Sequence, residues 1–190
     1  MSINVLFLYP NTFGMNMLPP AIATFSAILK KEGHKVEIFD TTYYAVDYGI
    51  DSDGSKEDNL RVVPFKDEMK KRNMRIKDTN WKEDLKKQVN KFKPNLIAIS
   101  STEDMWELGM KILSEIKDYK LKNKAPVVAG GVFPTFAPDL CIKYDLVDMV
   151  CVGEGENALI DLCKKIENKE DYTDVTNLWV KKEDGTIKKN

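Results

Sequence analysis

Five short runs of apolar and β-branched residues restrict the fold of this sequence more than any other feature. They are Val5–Tyr9, Val36–Phe39, Leu96–Ser100, Val127–Ala129 and Val147–Val152. Most of them are apolar throughout, as strands are when both faces of their sheet are covered. Segments with helical periodicity separate the runs. The pattern predicts a doubly wound α/β fold, Rossmann-like or flavodoxin-like, with a five-stranded parallel sheet and helices on both faces.

The predicted helices each follow a strand, as βα units require. The first begins near Pro20, which suits a first turn, and stops at Gly33. Two further apolar faces run from Met105 to Ile116 and from Ala158 to Ile166. The only histidine, His34, falls in the turn before the second strand, where we expect it to be solvated and at the amino end of the sheet.

A chain of 190 residues suits one domain with an insertion. We assign residues 1–170 to that domain. Within it, residues 41–80 are polar and charged, and they read as an insertion after the second strand. Two interpretations of this segment remain open, a lid over the sheet and a partly ordered excursion. Residues 171–190 predict a C-terminal hairpin around Asp184–Gly185 that leads toward a further, missing domain. The basic end, Lys188–Asn190, favours a truncated chain.

Composition excludes several classes of function. The 29 basic and 30 acidic residues are interspersed, which disfavours nucleic acid and anionic membranes as partners. No apolar run approaches the roughly 20 residues of a membrane span. The start of the chain does not look like a signal peptide, which favours the cytoplasm. Three cysteines without CxxC spacing, and one histidine, argue against a disulfide framework and a multi-histidine metal site.

The candidate binding residues follow the strands, because an open parallel sheet binds ligands at the carboxyl ends of its strands. The first of these loops is uncharged and rich in methionine, the second offers hydroxyls and a helix cap, and the last two contain paired or closely spaced glycines. The candidates are Thr12, Phe13, Met15, Asn16, Met17, Leu18, Ser100, Ser101, Thr102, Glu103, Gly130, Gly131, Val132, Phe133, Pro134, Thr135, Gly153, Glu154, Gly155 and Glu156.

These loops predict an apolar floor with hydroxyls and backbone amides at its rim, suited to a large, flat, amide-decorated ligand such as a corrinoid. A dinucleotide is served less well, because the first loop lacks G-x-G-x-x-G and no Walker motif occurs. Simpler interpretations stand beside this one. Gly130–Gly131 can be only a tight turn, and the acidic residues of Gly153–Glu156 can be only partners of a helix dipole. Met15, Met17 and Leu18 can be ordinary core residues.

Several motifs in order resemble the cobalamin-binding domains that precede the catalytic core of cobalamin-dependent radical SAM enzymes. They are Tyr9–Asn11, Leu18–Ala21, Gly33–Asp40, Gly130–Thr135, Val147–Asp148 and Gly153–Glu156. A more distant similarity is to the cobalamin domains of methionine synthases and mutases, with their DxHxxG, SxL and GG motifs. Ser100 and Gly130–Gly131 match that pattern, whereas the DxHxxG motif is absent.

The resemblance implies that the chain binds cobalamin (vitamin B12) and presents its cobalt to a radical SAM domain, as in class B radical SAM methyltransferases. S-adenosylmethionine and a [4Fe-4S] cluster would belong to the missing domain, since no CxxxCxxC motif occurs here. The resemblance implies no catalytic residue in this chain. Because the first loop contains no histidine, we expect no protein ligand to cobalt. Whether the benzimidazole of the cofactor stays on cobalt remains open, although an apolar loop beneath the corrin favours its displacement.

Two alternatives remain at this stage. The first is a stand-alone corrinoid carrier that docks on separate methyltransferases, and the missing histidine counts against it. The second is a flavodoxin-like enzyme or nucleotide-binding domain that uses the same strand ends. Asp40, at the end of the second strand, would suit a ribose in that case.

Overall fold

One mixed sheet organises the chain in the computed structural model, which describes residues 2–12, 19–46 and 76–190. Its strands lie in the order β2-β1-β3-β4-β5-β6-β7. Their bounds are β1 Asn4–Tyr9, β2 Lys35–Asp40, β3 Leu96–Ser100, β4 Val127–Gly130, β5 Met149–Cys151, β6 Leu178–Lys181 and β7 Ile187–Lys189. The first five strands are parallel, and β6 and β7 join the β5 edge antiparallel. The doubly wound α/β prediction is therefore confirmed.

The strand count was wrong, because the sheet contains seven strands within the described residues and not five. The predicted hairpin does form, and it extends the sheet. Leu178 and Val180 are buried, whereas Trp179 and Lys181 between them are partly exposed. This alternation lets β6 cover the edge of β5 with backbone hydrogen bonds while one of its faces joins the core.

The helices connect the strands as the periodicity predicted. Their bounds are α1 Pro20–Lys31, α2 Trp81–Phe92, α3 Glu103–Glu115, α4 Lys117–Asn123, α5 Val132–Phe136, α6 Pro138–Cys141 and α7 Glu156–Asn168. α1 has proline at its first position, and Gly33 follows its end with φ of +89°. None of the helices among the described residues combines the length and apolarity that crossing a bilayer requires.

Two apolar cores lie on opposite faces of the sheet because successive strand residues point in opposite directions. In β1, Leu6 and Leu8 enter the core beneath α2 and α3, whereas Val5 and Phe7 enter the core beneath α1 and α7. All four of these side chains are at most 2% exposed. Burial on both faces explains why the strand sequences are apolar throughout.

The described ends of the insertion meet beside the sheet. Tyr44 forms an isolated parallel bridge to Lys77, and the Lys77 Nζ lies 4.1 Å from the centre of the Tyr44 ring. Tyr44 is itself 4% exposed and stacks on Phe39 with ring centres 5.6 Å apart. The predicted insertion thus leaves and re-enters the domain at one place. Residues 47–75 lie outside the described residues, so the two interpretations of the insertion are not distinguished.

His34 lies at the amino end of the sheet, as expected, but the expectation that it is solvated was wrong. The residue is 5% exposed, and its Nδ1 accepts a hydrogen bond of 3.5 Å from the backbone N–H of Ile3. The physical reason is the register of β1 with β2, which pairs Asn4 with Lys35 and so brings the turn before β2 beside the start of β1.

We expect Leu178→Ala in β6 to lower the free energy of unfolding by about 2–5 kcal/mol, because Leu178 is fully buried and truncation leaves a cavity. The measurement is urea denaturation followed by circular dichroism. Ile187→Ala in β7 is the matched control, since Ile187 is 37% exposed, and it should cost less than about 0.5 kcal/mol. Equal losses from the two variants would show that the hairpin is not packed into the domain.

Candidate ligand-binding site

The carboxyl edge of the parallel strands brings the described candidate residues together. The chain passes from β1 to β2 on one side and then to β3 on the other side of β1, so the strand order reverses between β1 and β3. Ligands of open α/β sheets bind in the crevice at such a reversal. Thr12 follows β1, and the candidates of the later loops follow β3, β4 and β5. Phe13, Met15, Asn16, Met17 and Leu18 lie outside the described residues.

Hydrogen bonds hold the last three of these loops against one another. Ser101 donates its backbone N–H to the carbonyl of Gly130 (3.1 Å), and its own carbonyl accepts from the N–H of Phe133 (3.4 Å). The N–H of Gly153 donates to Thr135 Oγ1 at 3.3 Å. The ends of β3, β4 and β5 therefore form one connected rim, although 18 residues separate Gly153 from Thr135 in sequence.

A narrow apolar cleft descends from this rim between the sheet and the helices α1 and α7. Its cavity volume is about 50 Å³. Apart from the hydroxyl of Ser100, its walls are glycines and apolar or sulfur-containing side chains. They are Phe7, Phe25, Ala98, Ile99, Ser100, Val128, Gly130, Gly131, Cys151, Gly153, Gly155 and Leu159. Candidate residues from three loops thus share one cleft.

The two glycines after β4 have different reasons to be glycine. Gly131 has φ of +105°, and a Cβ there would lie 2.8 Å from the carbonyl oxygen of Ser101, so the turn itself demands glycine. Gly130 carries no such demand, since a Cβ there would meet only the Cβ of Cys151, at an ordinary 3.8 Å. The missing side chain at Gly130 therefore serves to keep the cleft open.

The run from Val132 to Pro138, which was expected to belong to the loop after the fourth strand, forms the helix α5 and the start of α6. The unstrained turn at Gly131 lets helical hydrogen bonds begin at once, with Thr135 N–H donating to the Gly131 carbonyl at 3.2 Å. Pro134 is buried, and Phe133 packs edge-to-face on Trp106 with ring centres 5.4 Å apart. Val132 is 63% exposed. Ligand contact by these three residues stays a prediction.

The hydroxyl groups of the rim differ in their availability. Ser101 is buried, and its Oγ donates to the carbonyl of Thr102 at 2.8 Å. Thr102 occupies the N-cap of α3 without a side-chain capping hydrogen bond, so only the position of the expected cap is confirmed. Ser100 Oγ faces the cleft, 3.3 Å from the place that a Cβ on Gly131 would take. Ser100 is thus the hydroxyl best placed to meet a ligand.

The acidic residues of the rim lie at the starts of helices. Glu103 stands in the first turn of α3, and Glu156 in the first turn of α7, whose N-cap is Gly155. Both are favourable positions beside the positive ends of helix dipoles. The carbonyl of Glu154 accepts from Asn177 Nδ2 at 3.0 Å, which ties this loop to the start of the hairpin. The negative charges of Glu103 and Glu156 would repel a polyphosphate from this rim.

A polar cluster closes the other side of the crevice, after β1 and β2. Asn11 donates from Nδ2 to Thr42 Oγ1 (2.8 Å), and its backbone N–H donates to Thr41 Oγ1 (2.9 Å). Thr12 is 2% exposed. Burial, together with the charge of Asp40, raises the pKa of Tyr9 above its usual value. Asp40 Oδ1 accepts a hydrogen bond from the backbone N–H of Thr42 at 2.8 Å, so Asp40 is a member of this polar cluster.

Sequence reasoning missed the residues that line the cleft below the rim, namely Phe7, Phe25, Ala98, Ile99, Val128, Cys151 and Leu159. The sequence did contain one signal that indicates this cleft. On the face that points toward α1 and α7, β3 changes from Leu96 to Ala98 and Ser100, and β4 changes from Val128 to Gly130, so the side chains are smaller near the carboxyl edge. Burial, reinforced by Glu156 and Glu154, raises the pKa of the Cys151 thiol to about 11, which keeps it protonated and unreactive.

Two larger concavities, of about 510 and 700 Å³, lie at the opposite end of the sheet. Their walls are dominated by charged and polar side chains of α4, the ends of α2 and α3, and the starts of β1 and β2. We assign the site to the smaller cleft because open α/β sheets bind ligands at the carboxyl ends of their strands. No group of three or more side chains suited to holding a metal ion occurs among the described residues.

Solved structures with the same fold come from longer proteins. The chain superposes on the radical S-adenosylmethionine methyltransferase TsrM from Kitasatospora setae, bound to cobalamin and a [4Fe-4S] cluster, with a TM-score of 0.70 and 22% identity. That alignment covers 97% of this chain and 28% of TsrM. The cobalamin-dependent S-adenosylmethionine radical enzyme OxsB, with aqua-cobalamin and S-adenosylmethionine bound, gives a TM-score of 0.69 at 20% identity, covering 100% of this chain and 22% of OxsB.

A search of curated proteins finds no match to the sequence. The family model described as the B12 binding domain matches residues 67–162, which is half of the 190-residue chain. That range contains β3, β4, β5 and the glycine-walled rim that follows them. The chain therefore belongs to the B12-binding domain family.

Proposed function

We propose that the chain holds cobalamin at the carboxyl edge of its sheet and presents it to a radical SAM catalytic domain, for methyl transfer. The observation that carries this proposal is the cleft at the strand ends, whose Gly130 has no structural reason to lack a side chain. The family match covers the same strand ends.

The residues present fit such a cofactor. Cobalamin combines a flat corrin ring bearing amide arms with one phosphate and an aromatic benzimidazole base. The apolar lining of the cleft matches the aromatic base in chemical character, and glycines on two sides allow close approach of the backbone. In this proposal, the hydroxyls of Ser100 and Thr102 and the backbone around Gly153 bind the amide groups of the corrin at the rim. Thr135 already accepts from Gly153, which fixes the shape of that part of the rim.

When bound, cobalamin would supply methyl-group transfer from S-adenosylmethionine to a substrate carbon. This chain's residues bind and orient the cofactor and keep water from the buried part of it. The raised pKa values of Tyr9 and Cys151 make both groups poor proton donors near neutral pH. We therefore assign no catalytic residue to the described part of the chain.

The partner in this proposal is a radical SAM domain in the same polypeptide, which would carry the [4Fe-4S] cluster and bind S-adenosylmethionine. Support comes from the solved structures, in which the matched region is 28% of TsrM and 22% of OxsB. A nucleotide-binding function is supported less, because the carboxylates of Glu103 and Glu156 stand at the helix starts that a polyphosphate would occupy.

We expect the purified chain to retain about one equivalent of cobalamin after mixing with hydroxocobalamin and desalting. The visible absorption spectrum of the protein fraction measures the retained cofactor. Complete loss of visible absorbance from a chain with a folded circular dichroism spectrum would contradict the proposal.

Gly130→Val tests whether the cleft is the place where cobalamin binds. Valine suits a strand, and the Cβ has ordinary room, so the fold should persist. Its methyl groups would enter the cleft and should lower retention at least about tenfold, the effect of losing roughly 1.4 kcal/mol of binding free energy. Gly185→Ala, in the hairpin turn and outside the lining of the cleft, should retain cobalamin as the wild type does, although alanine at a φ of +81° should cost some stability.

We also expect no protein nitrogen on the cobalt. His34 is the only histidine, and it lies at the amino end of the sheet, about 20 Å from the carboxyl edge by the rise of a six-residue strand. In the Co(II) state, an axial nitrogen splits the electron paramagnetic resonance signal. Protein labelled with ¹⁵N should give the same axial splitting as unlabelled protein.

His34→Ala tests the same assignment independently. The variant should lose some stability, because His34 is buried, but its Co(II) spectrum should match that of the wild type. A spectrum altered by His34→Ala, or an axial splitting that changes with protein ¹⁵N, would place a protein nitrogen on the metal.

A further inference from the structure

Phe25 occupies the side of the cleft formed by α1. Its ring stacks on Phe7 with ring centres 6.2 Å apart and an angle of 14° between the planes. The far edge of the ring lies 3.0 Å from the place that a Cβ on Gly155 would take. The ring therefore spans the space between α1 and the start of α7, and the missing side chain at Gly155 makes room for it.

The remaining space is too small for an aromatic ligand. A cavity that accepts benzene measures about 150 Å³, whereas this cleft holds about 50 Å³. The two fused rings of a benzimidazole need more room than benzene does. Entry of such a group requires one wall of the cleft to move.

Phe25 is the wall that can move at least cost. Ala98 and Val128 belong to the central strands and are 4% and 3% exposed. Leu159 is 4% exposed within α7. Phe25 is only partly buried, and its ring needs a rotation about the side-chain bonds rather than a shift of the backbone.

We propose that Phe25 is an aromatic gate, whose ring fills the place of the ligand's aromatic base and turns aside when that base enters. This inference rests on the proposed binding of cobalamin at this cleft. The gate makes the chain discriminate between corrinoids by their tail. A corrinoid with a benzimidazole tail binds fully only after the Phe25 ring has turned aside, whereas a corrinoid without a tail binds at the rim alone.

Stopped-flow absorbance with two probes tests the gate. Hydroxocobalamin carries the benzimidazole tail, and cobinamide lacks it. With the wild-type chain, the observed rate for hydroxocobalamin should reach a plateau as its concentration rises, because gate opening becomes limiting. Phe25→Ala should raise that plateau about two- to tenfold, the range expected when one aromatic pair is lost. The rate for cobinamide should stay within twofold of the wild-type rate.

Two further variants keep the test independent of folding. Phe25→Leu preserves most of the apolar contact of α1 and should give a smaller increase in the same direction. Ile28→Ala is the matched control, because Ile28 lies one turn further along α1 and packs in the same core without lining the cleft. It should change neither rate. Release of the base from cobalt is common to every variant and would give all of them the same plateau, so a plateau that rises only in the Phe25 variants is due to the side chain.

The outcomes separate the gate from the proposed function. If Phe25→Ala binds hydroxocobalamin no faster than the wild type, Phe25 is a fixed wall and the gate is wrong. If this variant binds cobinamide normally but no longer binds hydroxocobalamin, Phe25 forms part of the binding site of the benzimidazole tail, and the gate is again wrong. If the wild type binds neither probe, the proposed cobalamin site itself fails.

Discussion

The pairing of β1 with β3 is the interaction on which the rest of the structure depends. It places β1 inside the sheet, between β2 and β3, with both of its faces buried. Leu6 and Leu8 then serve one core, and Val5 and Phe7 the other. The same pairing sends the chain in opposite directions from the two sides of β1. The crevice at the carboxyl edge is a direct consequence of this reversal.

The candidate site is built largely from missing side chains. Small residues at the carboxyl ends of β3 and β4 widen the gap between the sheet and the helices α1 and α7. Such a gap forfeits packing contacts, and close-packed interiors seldom leave one without a reason. Phe25 recovers part of the lost contact by lying on Phe7 and against Gly155. The cleft therefore holds the apolar surface that a ligand would cover, and Phe25 forms one of its walls.

The hairpin connects the far edge of the sheet to this site. β6 pairs with β5, matching Leu178 with Cys151, and Cys151 lines the cleft. Asn177, just before β6, donates to the carbonyl of Glu154 in the rim. Lys189 in β7 lies over the Trp179 ring at 3.7 Å and pairs with Asp139 of α6 at 3.1 Å. The last residues of the chain thus support the loops after β4 and β5.

The sequence by itself determined the layer architecture, the parallel strands and the end of the sheet at which the candidate loops lie. These features follow from local patterns, since continuous apolar runs specify buried strands and helical periodicity specifies the crossovers. Tertiary structure alone decided that the hairpin joins the sheet, that Gly131 starts a helix, that His34 is buried and that Phe25 lines the cleft. Each of these depends on which distant segments meet, such as α1 with Gly155 or the turn before β2 with Ile3. Local sequence propensity contains no information about these tertiary contacts, because they arise from the register and packing of elements far apart in the chain.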